Sequence, residues 1–108
     1  MNKILLIVSA MIFTASVCFA DEVPSYNCKV ANKINNMKLS LDCVISNKVE
    51  KNELIKLGNE VYNNNNGKNY KNVFIMWYLP YYKIGSGAWG TTNFVNGNLE
   101  CSILSLQD

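Results

Sequence analysis

Apolar and polar positions alternate most cleanly from Met37 to Ile45. There Met37, Leu39, Leu41, Cys43 and Ile45 are interleaved with Lys38, Ser40, Asp42 and Val44. A period of two puts one set on each side of a pleated chain, so the stretch predicts a strand with one buried face. The residues before it carry Cys28, Val30 and Ile34 on one face, and Tyr26 to Ile45 reads as a β-hairpin. Asn35-Asn36 lies between the two halves, and Asn tolerates the positive φ that a two-residue hairpin turn demands. With those residues as the turn, Ile34 faces Met37, Val30 faces Leu41 and Cys28 faces Cys43. The register that aligns the apolar faces thus also sets two cysteines opposite each other, within reach of a disulfide. A Cys28–Cys43 bridge is expected.

The period changes from Val49 to Asn63. Leu54, Leu57 and Val61, with Ile55 and Tyr62 beside them, recur at the three-four spacing of a helix with one buried stripe. Gly58 inside this stripe costs about 1 kcal/mol against Ala, so either the helix packs closely on the sheet there or its second half frays. Asn72 to Leu79 is apolar on both faces, which predicts a central strand ended by Pro80. Tyr81 to Gly87 reads as a flexible connection. Ala88 to Val95 and Asn98 to Leu106 then form a second hairpin around Asn96-Gly97, a strong hairpin-turn signal. Its register sets Phe94 against Leu99 and Thr92 against Cys101, with Trp89 on the other face. The order strand, strand, helix, strand, strand, strand describes an α+β domain. It is a mainly antiparallel sheet of about five strands with one helix on one face, leaving much of the second face to water or a partner.

The first twenty residues follow a different rule. Met1-Asn2-Lys3 is a charged start, Ile4 to Val17 is nearly all apolar, and Cys18-Phe19-Ala20 ends on a small residue before Asp21-Glu22. This is the pattern of a secretory signal peptide cut near Ala20, leaving residues 21–108 as a single small domain. The apolar run falls short of the roughly 20 residues of a stable membrane span. Lipid modification of Cys18 would want a small residue before it, and Val17 is not small. The address is therefore exported, periplasmic or secreted, an oxidising space that preserves disulfides. Cys28, Cys43 and Cys101 remain after processing. Cys101 reads as a small buried apolar residue beside Leu99 and Ile103, the alternative being a spare thiol that pairs between chains.

Composition then narrows the function. The chain has ten Lys or Arg and eight Asp or Glu, all ten bases being lysines. Without Lys3 the balance is nine against eight, which gives no reason to expect nucleic acid or an anionic membrane as partner. Histidine is absent, which removes the commonest general base, the His-paired nucleophiles and most catalytic zinc sites. The acids lie in no pairing that suggests acid/base work, and Glu50, Glu53 and Glu60 belong to a polar helix face. The expectation is a protein that is not an enzyme, with no cofactor and no metal. The Asn63 to Asn66 run reads as loop filling, and Gly85-Ser86-Gly87 lacks the spacing and Lys-Ser/Thr end of a phosphate cradle.

One aromatic stretch remains. Trp77, Tyr78 and Trp89 suit a core, whereas Tyr81, Tyr82 and Lys83 lack a strand pattern to bury them. Tyrosines on a loop held by a rigid sheet give large contact area at low entropic cost. Tyr81, Tyr82, Lys83 and Ser86 are the binding candidates, with a lid folded back on the sheet as the competing reading.

Tyr78-Leu79-Pro80, Gly87-Ala88-Trp89 and Thr91-Thr92 also carry a resemblance. The chain resembles a family of small bacterial exported domains of unknown function. In that family a strand ends in Tyr-Leu-Pro-Gly-Met and a Gly-Ala-Trp-Ala-Thr-Thr-His-Phe stretch follows. Here Tyr81-Tyr82 replaces Gly-Met, Gly90 replaces Ala, and Asn93 stands in place of His. The helix opening Lys48 to Leu54 echoes the family's Leu-Ser-x-x-x-Leu segment. The likeness spans the last sixty residues or so; it implies the strand order and no activity. Together these features point to an exported binding protein of the inhibitor or immunity/exclusion kind, acting on another envelope or extracellular protein. The alternative is a structural or envelope-maintenance component working as an oligomer.

Overall fold

The computed structural model describes residues 24–104, so the expected signal peptide and cleavage position near Ala20, and the chain beyond Leu104, lie outside the described residues. Five strands and one helix follow in the order β1 (Tyr26–Ile34), β2 (Lys38–Ile45), α1 (Lys51–Asn64), β3 (Asn72–Tyr78), β4 (Gly90–Val95) and β5 (Asn98–Ile103). They build one α+β unit with the sheet in the spatial order β1-β2-β3-β4-β5. Three of the neighbouring pairs are antiparallel, and β2–β3 is parallel. A parallel pair needs a crossover long enough to return the chain to its starting end, and α1 fills that connection.

The alternation in β2 becomes strict alternation of burial: Leu39, Leu41, Cys43 and Ile45 are buried and the residues between them are not. Val73, Ile75 and Trp77 of β3 and Thr92 and Phe94 of β4 continue this inner face, onto which α1 lays Leu54, Leu57 and Val61. The frayed-helix reading of Gly58 is excluded. A Cβ built at Gly58 would lie 2.8 Å from Thr92 Cβ and 2.9 Å from Thr92 Oγ1, so glycine lets the helix backbone rest directly on β4. Thr92, fully buried, accepts a hydrogen bond from Trp77 Nε1 at 3.0 Å and donates toward Leu54 O at 3.5 Å. One hydroxyl thereby joins helix, central strand and β4. Tyr62 stacks on Phe94 with centroids 4.0 Å apart, extending the same layer.

The helix begins two residues later than its periodicity suggested. It ends in the Asn run, which has more to do than fill a loop. Asn65 Nδ2 donates to the terminal carbonyl of Val61 at 2.8 Å, and Asn66 takes left-handed φ of 55°. Asn36, Asn66 and Asn96 are the non-glycine residues with positive φ among those described, a conformation Asn visits more readily than most side chains.

The second hairpin keeps the expected register throughout, with Phe94 opposite Leu99 and Thr92 opposite Cys101. Trp89 precedes the strand, escapes its alternation and joins the same buried cluster as Phe94. The first hairpin keeps its register only away from the turn. Cys28 faces Cys43 and Val30 faces Leu41, but Ile34 faces Lys38, not Met37. Of the two turn asparagines only Asn36 has positive φ, at 48°, and Met37 N donates to Ile34 O at 2.9 Å. The turn therefore holds one residue more than a two-residue loop, and a bulge between Val30 and Asn32 absorbs it. From Lys29 onward β1 is exposed on both faces, where the sequence suggested one apolar face packed with that of β2.

Cys28 and Cys43 form the disulfide, their Cα atoms 4.0 Å apart. Cys101 is a free thiol and half-buried. β3 is the middle strand, as expected, but only one of its faces is packed along its length. On the other, Phe74 and Met76 remain partly exposed and only Tyr78 is buried.

Candidate binding surface

The connection from β3 to β4 is hydrogen-bonded rather than loose. Leu79 is buried and Pro80, whose fixed φ suits the second position of a β-turn, starts a turn closed by Tyr82 N donating to Leu79 O at 2.9 Å. A second turn follows, closed by Ser86 N to Lys83 O at 3.1 Å, with Gly85 at φ 98° in its third position. That angle is the requirement of a type II turn and explains the glycine. Gly85 N donates to Tyr78 Oη at 3.3 Å, tying the loop to the sheet. Beyond it, Trp89 N donates to Trp77 O at 2.8 Å and Leu104 N to Trp89 O at 2.8 Å, so the chain re-enters the sheet between fixed neighbours.

The four candidate residues on this loop divide. Tyr81 is 75 % exposed and Lys83 is exposed, both presented to solvent. Tyr82 is half-buried and packs against the core, with its ring centroid 5.5 Å from that of Tyr81. Ser86 is exposed, but its hydroxyl donates to Lys83 O at 2.7 Å and so braces the turn. The contact reading and the lid reading therefore each describe part of the loop: Tyr82 closes it down and Tyr81 stands out of it.

Beside the loop lies an open groove of about 600 Å³ on the sheet face away from α1. Its walls include Asn27, Lys29, Asp42, Val44, Ser46 and Ile84. Pairing puts Asn27 next to Val44 and Lys29 next to Asp42, and Val44 next to Tyr78, so edge strand, second strand and loop share one surface. Sequence reasoning missed these residues. For Asn27, Lys29, Asp42 and Val44 the only signal was a place on the outward-facing set of a strand, which every solvated face shares, and Ser46 and Ile84 lie outside the strands.

Two groups have displaced acidities. Burial, with Glu60 accepting its proton at 2.8 Å and adding negative charge, pushes the Tyr26 hydroxyl up to about 12. The same ring meets Trp77 edge-on at 5.6 Å, so Tyr26 joins β1 to both helix and core. Burial also raises the Cys101 thiol, outweighing the lowering by the Thr92 hydroxyl and by Lys51. Both groups hold their protons at neutral pH, and a thiol so held is a poor nucleophile. Among the described residues no three Asp, Glu or Cys side chains gather where they could hold a metal ion, and no helix is long and apolar enough to cross a membrane.

Comparison with known protein families, curated proteins and solved structures finds no match to this chain.

Proposed function

We propose that this protein is an exported binding module whose partner is another envelope or extracellular protein, engaged through Tyr81, Lys83 and the neighbouring groove. The observation that carries the reading is Tyr81, a large amphipathic side chain 75 % exposed on a loop tied to the sheet. Exposed aromatics on pre-ordered loops lose little entropy on binding and are over-represented among the residues that dominate interfaces. The adjoining groove gives a partner side chain somewhere to go, with Val44 and Ile84 as an apolar floor and Lys29 and Asp42 as polar margins. The Cys28–Cys43 disulfide supports export, since such bonds persist in oxidising compartments. Processing near Ala20 completes the reading, and mass spectrometry of the exported protein checks it.

A photo-reactive residue at position 81, compared with one at Lys56 on the outer helix face, tests the function in intact cells. One discrete cross-linked protein is expected from position 81 and none from 56. With that partner purified, Tyr81→Ala should weaken binding at least tenfold while the variant melts like the parent. Equal cross-linking from both positions, or affinity unchanged by Tyr81→Ala, would refute the reading. A cross-linked band at twice the chain mass would favour the oligomeric alternative.

A further inference from the structure

The near-balance of charge along the chain hides a segregation that the fold creates. Three segments meet at the end of the sheet opposite the Tyr81 loop. Lys71 N donates to Asn36 O, Asn72 N to Met37 O and Asn96 N to Lys71 O, each at 3.0 Å. Lys33, Lys38 and Lys71 stand at this pole, and Lys68 lies in the turn of 3-10 helix (Gly67–Asn69) that leads to it. Carboxylates lie elsewhere among the described residues. Asp42 pairs across from Lys29, Glu60 bonds Tyr26, Glu50 and Glu53 are at the start of α1, and Glu100 is on the far edge strand opposite Asn93. The same pole exposes aliphatic side chains: Ile34 is 49 % and Met37 is 51 % accessible. Ile34 ends the edge strand β1, and Met37 lies in the turn that follows it.

We infer that this pole docks on an anionic lipid bilayer surface. Lysines around protruding aliphatic residues suit that interface, where ammonium groups meet lipid phosphates and the aliphatic chains sink below the headgroups. A nucleic acid duplex offers Ile34 and Met37 no apolar phase, and the chain has no arginine to grip phosphate or guanine in two places. A protein partner is the weaker fit, because protein interfaces favour aromatic and arginine anchors, and the exposed side chains here are lysines, asparagines and aliphatics. Each lysine brought to such a surface adds about fivefold to partitioning, and screening over roughly 8 Å at physiological salt makes the effect sensitive to ionic strength. Because β3 runs from this pole to the Tyr81 loop, docking holds that loop about 20 Å above the surface, at roughly 3.3 Å per strand residue.

The test is co-sedimentation of the exported form of the protein with phosphatidylcholine vesicles, with and without phosphatidylglycerol. Two triple variants lose the same charge: Lys33→Gln/Lys68→Gln/Lys71→Gln at the pole and Lys51→Gln/Lys56→Gln/Lys83→Gln away from it. Binding is expected only with phosphatidylglycerol and should fall with added salt. The pole variant should lose about a hundredfold, three lysines at fivefold each, and the other variant only a few-fold. Ile34→Ser/Met37→Ser, which keeps every charge, should also weaken binding, and thermal melts confirm that each variant is folded. Equal losses in the two triple variants, equal binding to neutral vesicles, or tighter pole-dependent binding to a DNA duplex would each overturn the inference.

Discussion

Gly58→Ala is the most direct probe of how helix and sheet meet. In a solvated helix the change would stabilise by about 1 kcal/mol, because alanine loses less backbone entropy. Here the new methyl would press on Thr92, whose Cβ is 2.8 Å and whose Oγ1 is 2.9 Å from the position it would take. Thr92 has little freedom to yield. It sits fully buried in β4, with the Trp77 indole bonded to its hydroxyl at 3.0 Å. Overpacking of a tight core costs about 1–3 kcal/mol, and rotating Thr92 away would leave the buried indole N–H without its acceptor, a penalty of about 1–3 kcal/mol. These terms outweigh the propensity gain, so a net loss of about 1–2 kcal/mol is expected, and a melting temperature lower by about 4–8 °C per kcal/mol for a domain of this size. Urea and thermal unfolding measure it. A double-mutant cycle with Thr92→Ser isolates the cause, since serine keeps the hydroxyl and removes the methyl. Gly58→Ala should cost at least about 0.5 kcal/mol less in the Thr92→Ser background. If Gly58→Ala stabilises the protein, or the cycle shows no coupling, the close approach of α1 to β4 is wrong.

Three further outcomes follow from the same contacts. Tyr81→Ala should change stability by no more than about 0.5 kcal/mol, whereas Trp77→Ala should lose about 3–5 kcal/mol; melts of the two variants compare them directly, and a large loss at Tyr81 would make it a core residue. Non-reducing peptide mapping should return Cys28 joined to Cys43 with Cys101 free, and reduction should lower stability by up to roughly 3 kcal/mol for a bridge between residues 15 apart. Because folding raises the Tyr26 hydroxyl from 10 to about 12, its contribution is full below about pH 10 and is lost as pH rises toward 12. Tyr26→Phe and Glu60→Gln should therefore flatten the alkaline fall in stability relative to the parent, and equal slopes by denaturant titration at each pH would exclude the link.

What the sequence determined by itself is everything with a short-range physical signature. The Asn96-Gly97 turn sufficed for the register of the β4–β5 hairpin, and strict alternation in β2 for the half of the first hairpin that holds the disulfide. A period near 3.6 located the helix, and apolarity on both sides placed β3 in the middle of the sheet. The one failure of register, Ile34 against Lys38, arose from a single φ angle: Asn35 and Asn36 look alike as letters, yet only Asn36 turned left-handed. The candidate loop was legible as exposed tyrosines, but its division into Tyr81 outside and Tyr82 against the core was not, because that depends on which hydrogen bonds close its two turns. Only the tertiary structure decided why Gly58 is glycine, since the atom it makes room for belongs to Thr92, 34 positions along the chain. Charge shows the same division. Counting lysines and acids yields near-neutrality, whereas crossing β2 to β3 through α1 gathers Lys33, Lys38, Lys68 and Lys71 at one pole and leaves the carboxylates elsewhere. Composition sums over positions, but a field depends on distances, and distances between residues far apart in sequence exist only once the chain has folded.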